Sequence, residues 1–163
     1  CAQESLAISP DDDYGSLAPQ LAEIGGRMIV DALSAADAGS DIWTEQLAGS
    51  DESAITYAEK IVREDRLLRP RAQSAKELAL TIRALTPHIG AIFETAGGDP
   101  LRVESAQVSD RTLEPGTAAA QDGRLFIGTI DMTLELLRVK PAGGKVMDVE
   151  SFLRGNDAPD VVG

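Results

Sequence analysis

Residues 55–91 read ITYAEKIVREDRLLRPRAQSAKELALTIRALTPHIGA, and this stretch decides the fold of the second half of the chain. Its clearest feature is the SAKE motif of a helix capping box, in which the Ser74 hydroxyl accepts the Glu77 N–H and the Glu77 carboxylate accepts the Ser74 N–H. Apolar residues follow at the spacing of one helical face, at Leu78, Ile82 and Leu85. Pro87 ends the pattern, because proline lacks an N–H and disfavours helical geometry in the preceding residue. The sequence predicts a helix over 74–85.

Beyond Pro87 the apolar period changes from 3.6 to 2, which is the period of a half-buried strand. Runs of this kind occur at 89–93, 101–108, 117–119, 125–127 and 134–139. The Asp122-Gly123 pair between two of them is a strong hairpin signal. Asp148 is placed to cap a short helix that ends at Arg154. Short strands with glycine-marked turns indicate a small Greek-key β-barrel, and we expect 156–163 to be a disordered tail.

The first part of the chain predicts a different unit. A short alternation at 6–8 indicates a strand. A long helix is expected from an apolar stripe at Leu17, Leu21, Ile24, Met28 and Ala32. Pro19 fits this helix if Ser16 is the N-cap, which places the proline in the first turn. The acidic cluster 11–13 precedes the helix at its positive end, where carboxylates are favourable.

Charge is distributed unevenly along the chain. The net charge is -12, and residues 1–54 hold 11 acids against the single base Arg27, which leaves -2 for residues 55–163. Residues 60–83 carry seven basic residues and three acids, a local excess of +4. A strongly acidic chain is unsuited to indiscriminate binding of nucleic acid, since phosphates require local Lys and Arg. One basic face within 60–83 is compatible with such a partner.

Catalytic ingredients are few in this sequence. His88 is the only histidine, no serine or cysteine stands in an activated context, and no glycine-rich loop joins a strand to a helix. The sequence therefore predicts neither a complete enzyme nor a metal site. Cys1 is the only cysteine, which excludes an internal disulfide. Its position leaves open a stand-alone acidic binding module or a lipoprotein anchored at Cys1, against the alternative of a segment from a longer protein. No apolar run approaches the ~20 residues needed to cross a membrane.

Several motifs occur in a specific order along the chain. They are DYGSL at 13–17, LAEIG at 21–25, YAEKI at 57–61, IRAL at 82–85, PGT at 115–117, PAGGK at 141–145 and SFLRG at 151–155. The first two resemble the last long helix of the catalytic domain of bacterial methionyl-tRNA formyltransferases. The others resemble the linker and C-terminal domain of that family. The resemblance covers nearly the whole chain, from residue 5 to residue 155.

The resemblance implies an α+β chain. Residues 1–36 are expected to be the edge of a Rossmann-like catalytic domain, with a short strand and a long helix. Residues 37–58, which are rich in Ala, Gly, Ser and Asp, are the expected linker. Residues 59–155 are expected to form an OB-like Greek-key barrel with a leading helix, followed by the tail at 156–163.

The resemblance also implies a function. The family transfers a formyl group from 10-formyltetrahydrofolate to the methionine amino group of initiator methionyl-tRNA. It is expected to act in the cytoplasm as a monomer, without a membrane or a metal. The family's catalytic Asn, His and Asp belong to motifs that do not occur in this chain. No catalytic or cofactor-binding residue is therefore carried over, and the formyl donor is expected to bind outside this segment.

The role that remains for this chain is to hold the tRNA so that its acceptor end meets a distant formyl donor. The residues expected to contact the tRNA are Lys60, Arg63, Arg66, Arg83, Lys140, Lys145 and Arg154. Lys60 and Lys145 carry the most weight, because they lie in the YAEK and PAGGK motifs. The sequences at 67–70 and 86–89 depart from the family pattern. These departures leave open a related sugar-nucleotide formyltransferase, which would share the fold and the donor but act on another amine.

Overall fold

The computed structural model describes residues 2–40 and 57–162. The chain divides into two compact units, one of Cys1–Asp12 with Ser16–Lys60 and one of Asp13–Gly15 with Ile61–Gly163. Cys1, on which the lipoprotein alternative depends, lies outside the described residues, as does most of the expected linker. No helix in the described ranges is long and apolar enough to cross a membrane.

The first described segment contains one long helix, α1 (Tyr14–Asp37). It begins two residues before Ser16, so the prediction that Ser16 is its N-cap is wrong, and Pro19 lies inside the helix. The Asp12 carboxylate accepts the Ser16 hydroxyl at 2.7 Å, which stabilises the first turn from outside. The acidic cluster therefore precedes the start of the helix, as the sequence predicts.

No residue of α1 is buried. Its large apolar side chains that are more than half exposed are Leu21, Ile29, Val30 and Leu33. The strand predicted at 6–8 is not formed. The described residues of this unit provide no second strand, and an unpaired strand leaves its backbone N–H and C=O groups without ladder partners.

The helix predicted over 74–85 is confirmed as α2 (Ala75–Leu85). Its capping box is complete, since the Glu77 N–H donates to the Ser74 hydroxyl at 3.2 Å and the Ser74 N–H donates to the Glu77 carboxylate at 2.8 Å. The Ser74 N–H, followed by the Ser74 hydroxyl, holds the pKa of Glu77 below its usual value. The buried face of α2 consists of Ala75, Leu78, Ile82 and Leu85. The helix ends at Leu85, and its C-cap Thr86 directly precedes the proline, as predicted.

Seven strands in the described part of the second unit form one antiparallel sheet. They are β1 (Ala91–Thr95), β2 (Leu101–Ser109), β3 (Ala118–Gln121), β4 (Arg124–Gly128), β5 (Thr133–Lys140), β6 (Met147–Asp148) and β7 (Val161–Val162). Neighbouring strands follow the order β3-β4-β5-β2-β1-β7, and β6 pairs with β5. A parallel bridge between Leu67 and Ile92 also joins the segment before α2 to β1. The sheet is nearly closed and barrel-like, which is compatible with the expected OB-like domain.

The strands correspond to the five alternating runs of the sequence, with β6 and β7 in addition. The turn between β3 and β4 is formed by Asp122 and Gly123, with φ angles of 53° and 73°. Positive φ at both central residues is what a tight hairpin turn requires, so this prediction is confirmed. Two register shifts in the ladder between β2 and β5 leave Glu104 as an extra residue on β2 and Leu137 as an extra residue on β5.

The core of the second unit lies between α2, the inner face of the sheet and a short third helix. That helix, α3 (Val149–Leu153), is capped by Asp148, whose carboxylate accepts the Ser151 N–H at 2.7 Å, as the sequence predicts. The fully buried apolar side chains include Leu78, Ile82, Phe93, Val103, Leu125, Ile127, Leu134, Leu136 and Val139. We call the side of the sheet that turns away from this cluster the outer face.

Residues 156–162 differ from the disordered tail that the sequence predicts. Val161 and Val162 pair with Thr95 and Glu94 of β1, and Val161 is buried in the core. A two-residue strand has almost no periodicity of its own, and its partner lies far earlier in the chain. The pairing is therefore decided by tertiary contacts rather than by the local sequence.

Asp131 connects the β4–β5 turn to the start of α2. Its carboxylate accepts the Ala75 N–H at 2.9 Å, the Thr129 hydroxyl at 2.8 Å and the Met132 N–H at 2.7 Å. The Ala75 N–H, followed by the Thr129 hydroxyl, holds the pKa of Asp131 below its usual value. The first turn of α2 therefore has two caps, one from Ser74 and one from this distant aspartate.

We expect Asp131→Ala to lower the Tm near neutral pH, because Ala75, Thr129 and Met132 lose their shared acceptor. The folded pKa of Asp131 lies below the unfolded value of about 3.9. The stabilisation that the carboxylate gives to the folded state is therefore complete above the unfolded pKa, and it is lost as the pH falls through the folded pKa. Thermal unfolding at a series of pH values checks this, with the exposed Asp157→Ala as control. A Tm difference that stays constant into strong acid would contradict the electrostatic part of the prediction.

Candidate nucleic-acid interface

Two of the seven predicted tRNA-contacting residues lie against β1. Arg63 precedes the short 3-10 helix Glu64–Arg66, and its exposed guanidinium pairs with Glu94 at 2.8 Å. Arg66 is half-buried, and its Nε donates to the Gly90 carbonyl at 2.9 Å. These contacts bring the two cations to the same strand and fix where they reach the surface.

The next three residues occupy different elements. Lys60 is exposed and belongs to the first unit, whereas the other six belong to the second. Arg83 is half-buried in the last turn of α2, where a cation complements the helix dipole. Lys140 ends β5 and lies directly opposite Arg102 of β2.

The last two residues follow β5 in the chain. Lys145 is exposed in the loop between β5 and β6. Arg154 is the C-cap of α3, where its guanidinium donates to the Ser151 hydroxyl at 2.6 Å and lies 3.8 Å from the Glu150 carboxylate. These contacts are local to α3, so they hold Arg154 near its own helix rather than near another predicted residue.

Each of the three glutamates that lie on the strands is paired with an arginine. The pairs are Arg63–Glu94, Arg102–Glu104 and Arg124–Glu135. The Glu135 side chain is only 6% exposed and accepts Nε and Nη2 of Arg124, both at 2.6 Å, and Nε2 of Gln107 at 2.8 Å. Hydrogen bonds from Arg124 first, and from Gln107, hold the pKa of Glu135 below its usual value. A carboxylate held in this way stays ionised near neutral pH and is a poor proton donor.

Phe126 lies on the outer face of the sheet between two guanidinium groups. The Cζ atoms of Arg111 and Arg124 lie 4.3 Å and 5.0 Å from the centre of its ring. Arg111 also donates to the side-chain amide of Gln121. Cation–π contacts of this kind hold both arginines at fixed places on the surface.

The residues expected from the sequence do not include four arginines on the outer face of the sheet, at positions 102, 111, 124 and 138. A signal for two of them is present in the sequence. Arg124 precedes the core residue Leu125, and Arg138 precedes the core residue Val139. Since successive side chains of a strand point to opposite faces, both arginines belong to the outer face.

The described residues offer poor sites for a metal ion and for the folate donor. Residues 2–40 and 57–162 contain no group of three His, Cys, Asp or Glu side chains that could hold a metal ion. A shallow depression of about 280 Å³ beside the β3–β4 turn is lined by Ala120, Gln121, Asp122, Gly123, Glu150, Leu153 and Arg154. Its two carboxylates repel an anionic ligand, and its two apolar residues are too few to cover a pterin ring. This depression does not fit 10-formyltetrahydrofolate.

Comparison with known proteins adds to this geometry. The chain is similar to methionyl-tRNA formyltransferase of Rubrobacter xylanophilus, with 34% identity over 160 residues that cover 94% of this chain and 50% of the relative. The corresponding enzyme of Herminiimonas arsenicoxydans is 37% identical over 157 residues, which cover 93% of this chain and 47% of the relative. For Lactobacillus acidophilus the identity is 33% over 165 residues, with coverages of 99% and 51%.

The chain thus spans about half the length of the curated relatives it matches. Residues 60–157 match the family model described as formyl transferase, C-terminal domain. The resemblance stated from the sequence motifs is therefore confirmed. The match begins at the basic segment and runs through α3, so it includes α2 and β1–β6. The matched range is the part that folds as a capped helix packed on a barrel-like antiparallel sheet. This match shows that the chain belongs to the formyl transferase family and carries its C-terminal domain.

Proposed function

We propose that this chain is the tRNA-docking part of a methionyl-tRNA formyltransferase, which transfers a formyl group from 10-formyltetrahydrofolate to the methionine amino group of initiator methionyl-tRNA. The observation that carries the proposal is a C-terminal formyl transferase domain in a chain whose relatives are named methionyl-tRNA formyltransferase. The three arginine-paired glutamates favour a docking role over chemistry. The catalytic residues and the formyl donor are assigned to the part of the enzyme outside this chain.

Docking contributes to such a reaction by positioning. Holding the tRNA body converts the meeting of its amino group with the donor into an intramolecular step, which removes much of the entropic cost. Contacts to phosphates fix the position and orientation of a nucleic acid without reading its sequence. A barrel-like sheet is a rigid support for the cations that make such contacts.

The finer description of the fold belongs to this proposal. Strands β3, β4 and β5 follow one another as hairpins, and β2 lies beside β5. This is the connectivity of a Greek key, and it supports an OB-like barrel for 59–155. Residues 1–36 would be the edge of a Rossmann-like domain, and 37–58 the linker. A monomer in the cytoplasm, where initiator tRNA is used, completes the proposal.

The exposed apolar side chains of α1 favour this assignment over a self-sufficient binding module. Ile29 and Leu33, one turn apart, are more than half exposed, and no residue of this 24-residue helix is buried. Exposed large apolar side chains on a helix without a buried face indicate a surface that another element covers. A helix at the edge of a Rossmann-like domain would be covered by the sheet of that domain.

The seven residues expected to contact tRNA remain part of the proposal. Lys60 and Lys145 are exposed and lie in two of the family motifs. Arg63 and Arg66 are partly engaged by Glu94 and the Gly90 carbonyl. The lysines are therefore the residues whose charge is most available to phosphates.

We expect Lys60→Glu and Lys145→Glu each to weaken binding of initiator tRNA, because each change replaces a cation near phosphates by an anion. The slope of log affinity against log salt should become shallower by about one unit for each phosphate that the variant no longer neutralises. Fluorescence-anisotropy titrations of labelled initiator tRNA at several salt concentrations check this.

Lys76→Glu is the matched control, since Lys76 is also exposed but lies in the first turn of α2, outside the proposed site. An unchanged slope for Lys60→Glu and Lys145→Glu would remove these two residues from the site. Absence of any salt-sensitive tRNA binding by the chain would instead favour a formyltransferase acting on another amine, such as that of a nucleotide sugar.

A further inference from the structure

Basic residues lie in register across the outer face of the sheet. In an antiparallel ladder, residues directly opposite each other point to the same face. Arg102 of β2 is opposite Lys140 of β5, and Ser105 of β2 is opposite Arg138 of β5. Arg138 is in turn opposite Asp148 of β6. Arg102 and Lys140 therefore lie side by side on the outer face, with Arg138 two residues before Lys140 on β5.

Two further arginines extend this group of cations over β4. Arg124 and Phe126 flank the core residue Leu125, so both lie on the outer face. The Arg111 guanidinium covers Phe126 from the loop after β2. We call this surface the basic outer face, and it consists of Arg102, Arg111, Arg124, Arg138 and Lys140.

The carboxylates among these residues do not cancel their charge. Glu104 and Glu135 are buried beneath Arg102 and Arg124 and hold those guanidiniums in place. Asp148 is exposed, but its carboxylate is engaged as the cap of α3. Asp122 also acts electrostatically on Arg124, so five cations against four carboxylates leave a net positive surface on a chain whose net charge is -12.

The charge on three of the five cations is the most available. Among the described residues, the ion pairs of the basic outer face involve Arg102 and Arg124 and not Arg111, Arg138 or Lys140. Arg111 and Arg138 are exposed, and Lys140 is half-buried. These three cations can therefore meet a ligand without first breaking an ion pair.

We propose that the basic outer face is an RNA-backbone-binding surface, formed by Arg111, Arg138 and Lys140 and supported by the ion-paired Arg102 and Arg124. It rests on the proposed function, because tRNA is the polyanion it would hold. It adds to that proposal a surface made by side chains of β2, β4 and β5, of which only Lys140 was expected from the sequence.

The geometry fits an RNA backbone better than an acidic peptide. Neighbouring strands are ~4.8 Å apart, so rows of cations on a sheet form a rigid array. Guanidinium forks match phosphate oxygens two at a time. A guanidinium already stacked on Phe126 keeps its other flat side open, where an unpaired base can stack.

The test uses the full chain with Arg111→Gln, Arg138→Gln and the double variant, titrated with labelled initiator tRNA at several salt concentrations. The expected result is a salt slope that is shallower by about one unit for each single variant and about two for the double variant. Lys76→Gln, an exposed lysine on α2, should retain the parental slope. Polyglutamate of comparable charge serves as the competitor, and thermal unfolding shows that each variant is folded.

The outcomes separate this inference from the proposed function. If Lys60→Glu and Lys145→Glu lower the slope but the double arginine variant does not, the basic outer face is overturned and the proposed function stands. A lower slope for the arginine variants alone supports the basic outer face and removes Lys60 and Lys145 from the site. Displacement of tRNA by polyglutamate at equal charge overturns a preference for RNA. If Arg111→Gln is unfolded, Arg138→Gln alone decides the result.

Discussion

Leu78→Ala is expected to destabilise the second unit by about 2–5 kcal/mol. Leu78 is 0% exposed and packs from α2 into the core shared with the sheet, so its truncation removes apolar burial and leaves a cavity. Leu80 lies two residues later in the same helix but is 46% exposed. The expected effect of Leu80→Ala is within about 0.5 kcal/mol, because this change touches only the surface.

The two leucine variants form a matched pair, since the residue type, the helix and the substitution are the same. Urea unfolding followed by circular dichroism would measure both free energies of unfolding. A large effect of Leu78→Ala with little effect of Leu80→Ala supports the orientation of α2 on the sheet. Equal effects of the two changes would mean that the helix is rotated or is not packed as described.

The parts of the fold that the sequence predicts well are those decided by neighbouring residues. The capping box at Ser74, the end of α2 before Pro87 and the Asp122-Gly123 turn each depend on a few consecutive side chains. The five longer strands follow from alternation within each run. Local sequence therefore predicts the elements of the second unit and most of their ends.

The parts that it does not predict depend on distant partners. Asp131 caps α2 from another turn, and β7 forms only because β1 offers an edge. Ser16 is a good N-cap by residue type, yet α1 starts at Tyr14. For Asp131 and β7, contacts outside the local window decide the outcome.

The candidate interface shows the same division. The sequence selects basic residues from the segment 60–83 and from family motifs, and these are local signals. The basic outer face is created by strand register, which brings Arg102 opposite Lys140 and places Arg111 over Phe126. Alternation from Val139 assigns Arg138 to the outer face, whereas alternation from Leu136 would assign it to the core, because Leu137 is an extra residue on β5. Alternation does not reveal that the buried Glu104 and Glu135 are paired with Arg102 and Arg124.

Gly128→Ala is expected to destabilise the protein by about 1–3 kcal/mol, although alanine is an ordinary strand residue. A Cβ atom at position 128 would overlap the Glu114 carbonyl oxygen and come within 2.9 Å of the Leu113 Cβ. The Gly128 N–H donates to the Thr117 carbonyl at 2.9 Å, and its carbonyl accepts the Gly116 N–H at 2.9 Å. The loop from 113 to 117 is thus fastened to β4 by its backbone and cannot yield as a flexible side chain would.

Gly97→Ala is the control for this change, because a Cβ at position 97 would meet its nearest neighbour, the Thr95 hydroxyl, at 3.8 Å. Urea unfolding should show a loss of stability for Gly128→Ala and a change within about 0.5 kcal/mol for Gly97→Ala. The tightly held loop begins beyond Arg111, whose carbonyl accepts the Thr133 hydroxyl at 2.7 Å. Because this contact and the Phe126 ring hold Arg111 apart from the loop, the tRNA salt slope should remain at the parental value in the folded Gly128→Ala variant. Parental stability in that variant would mean that the loop does not lie against β4.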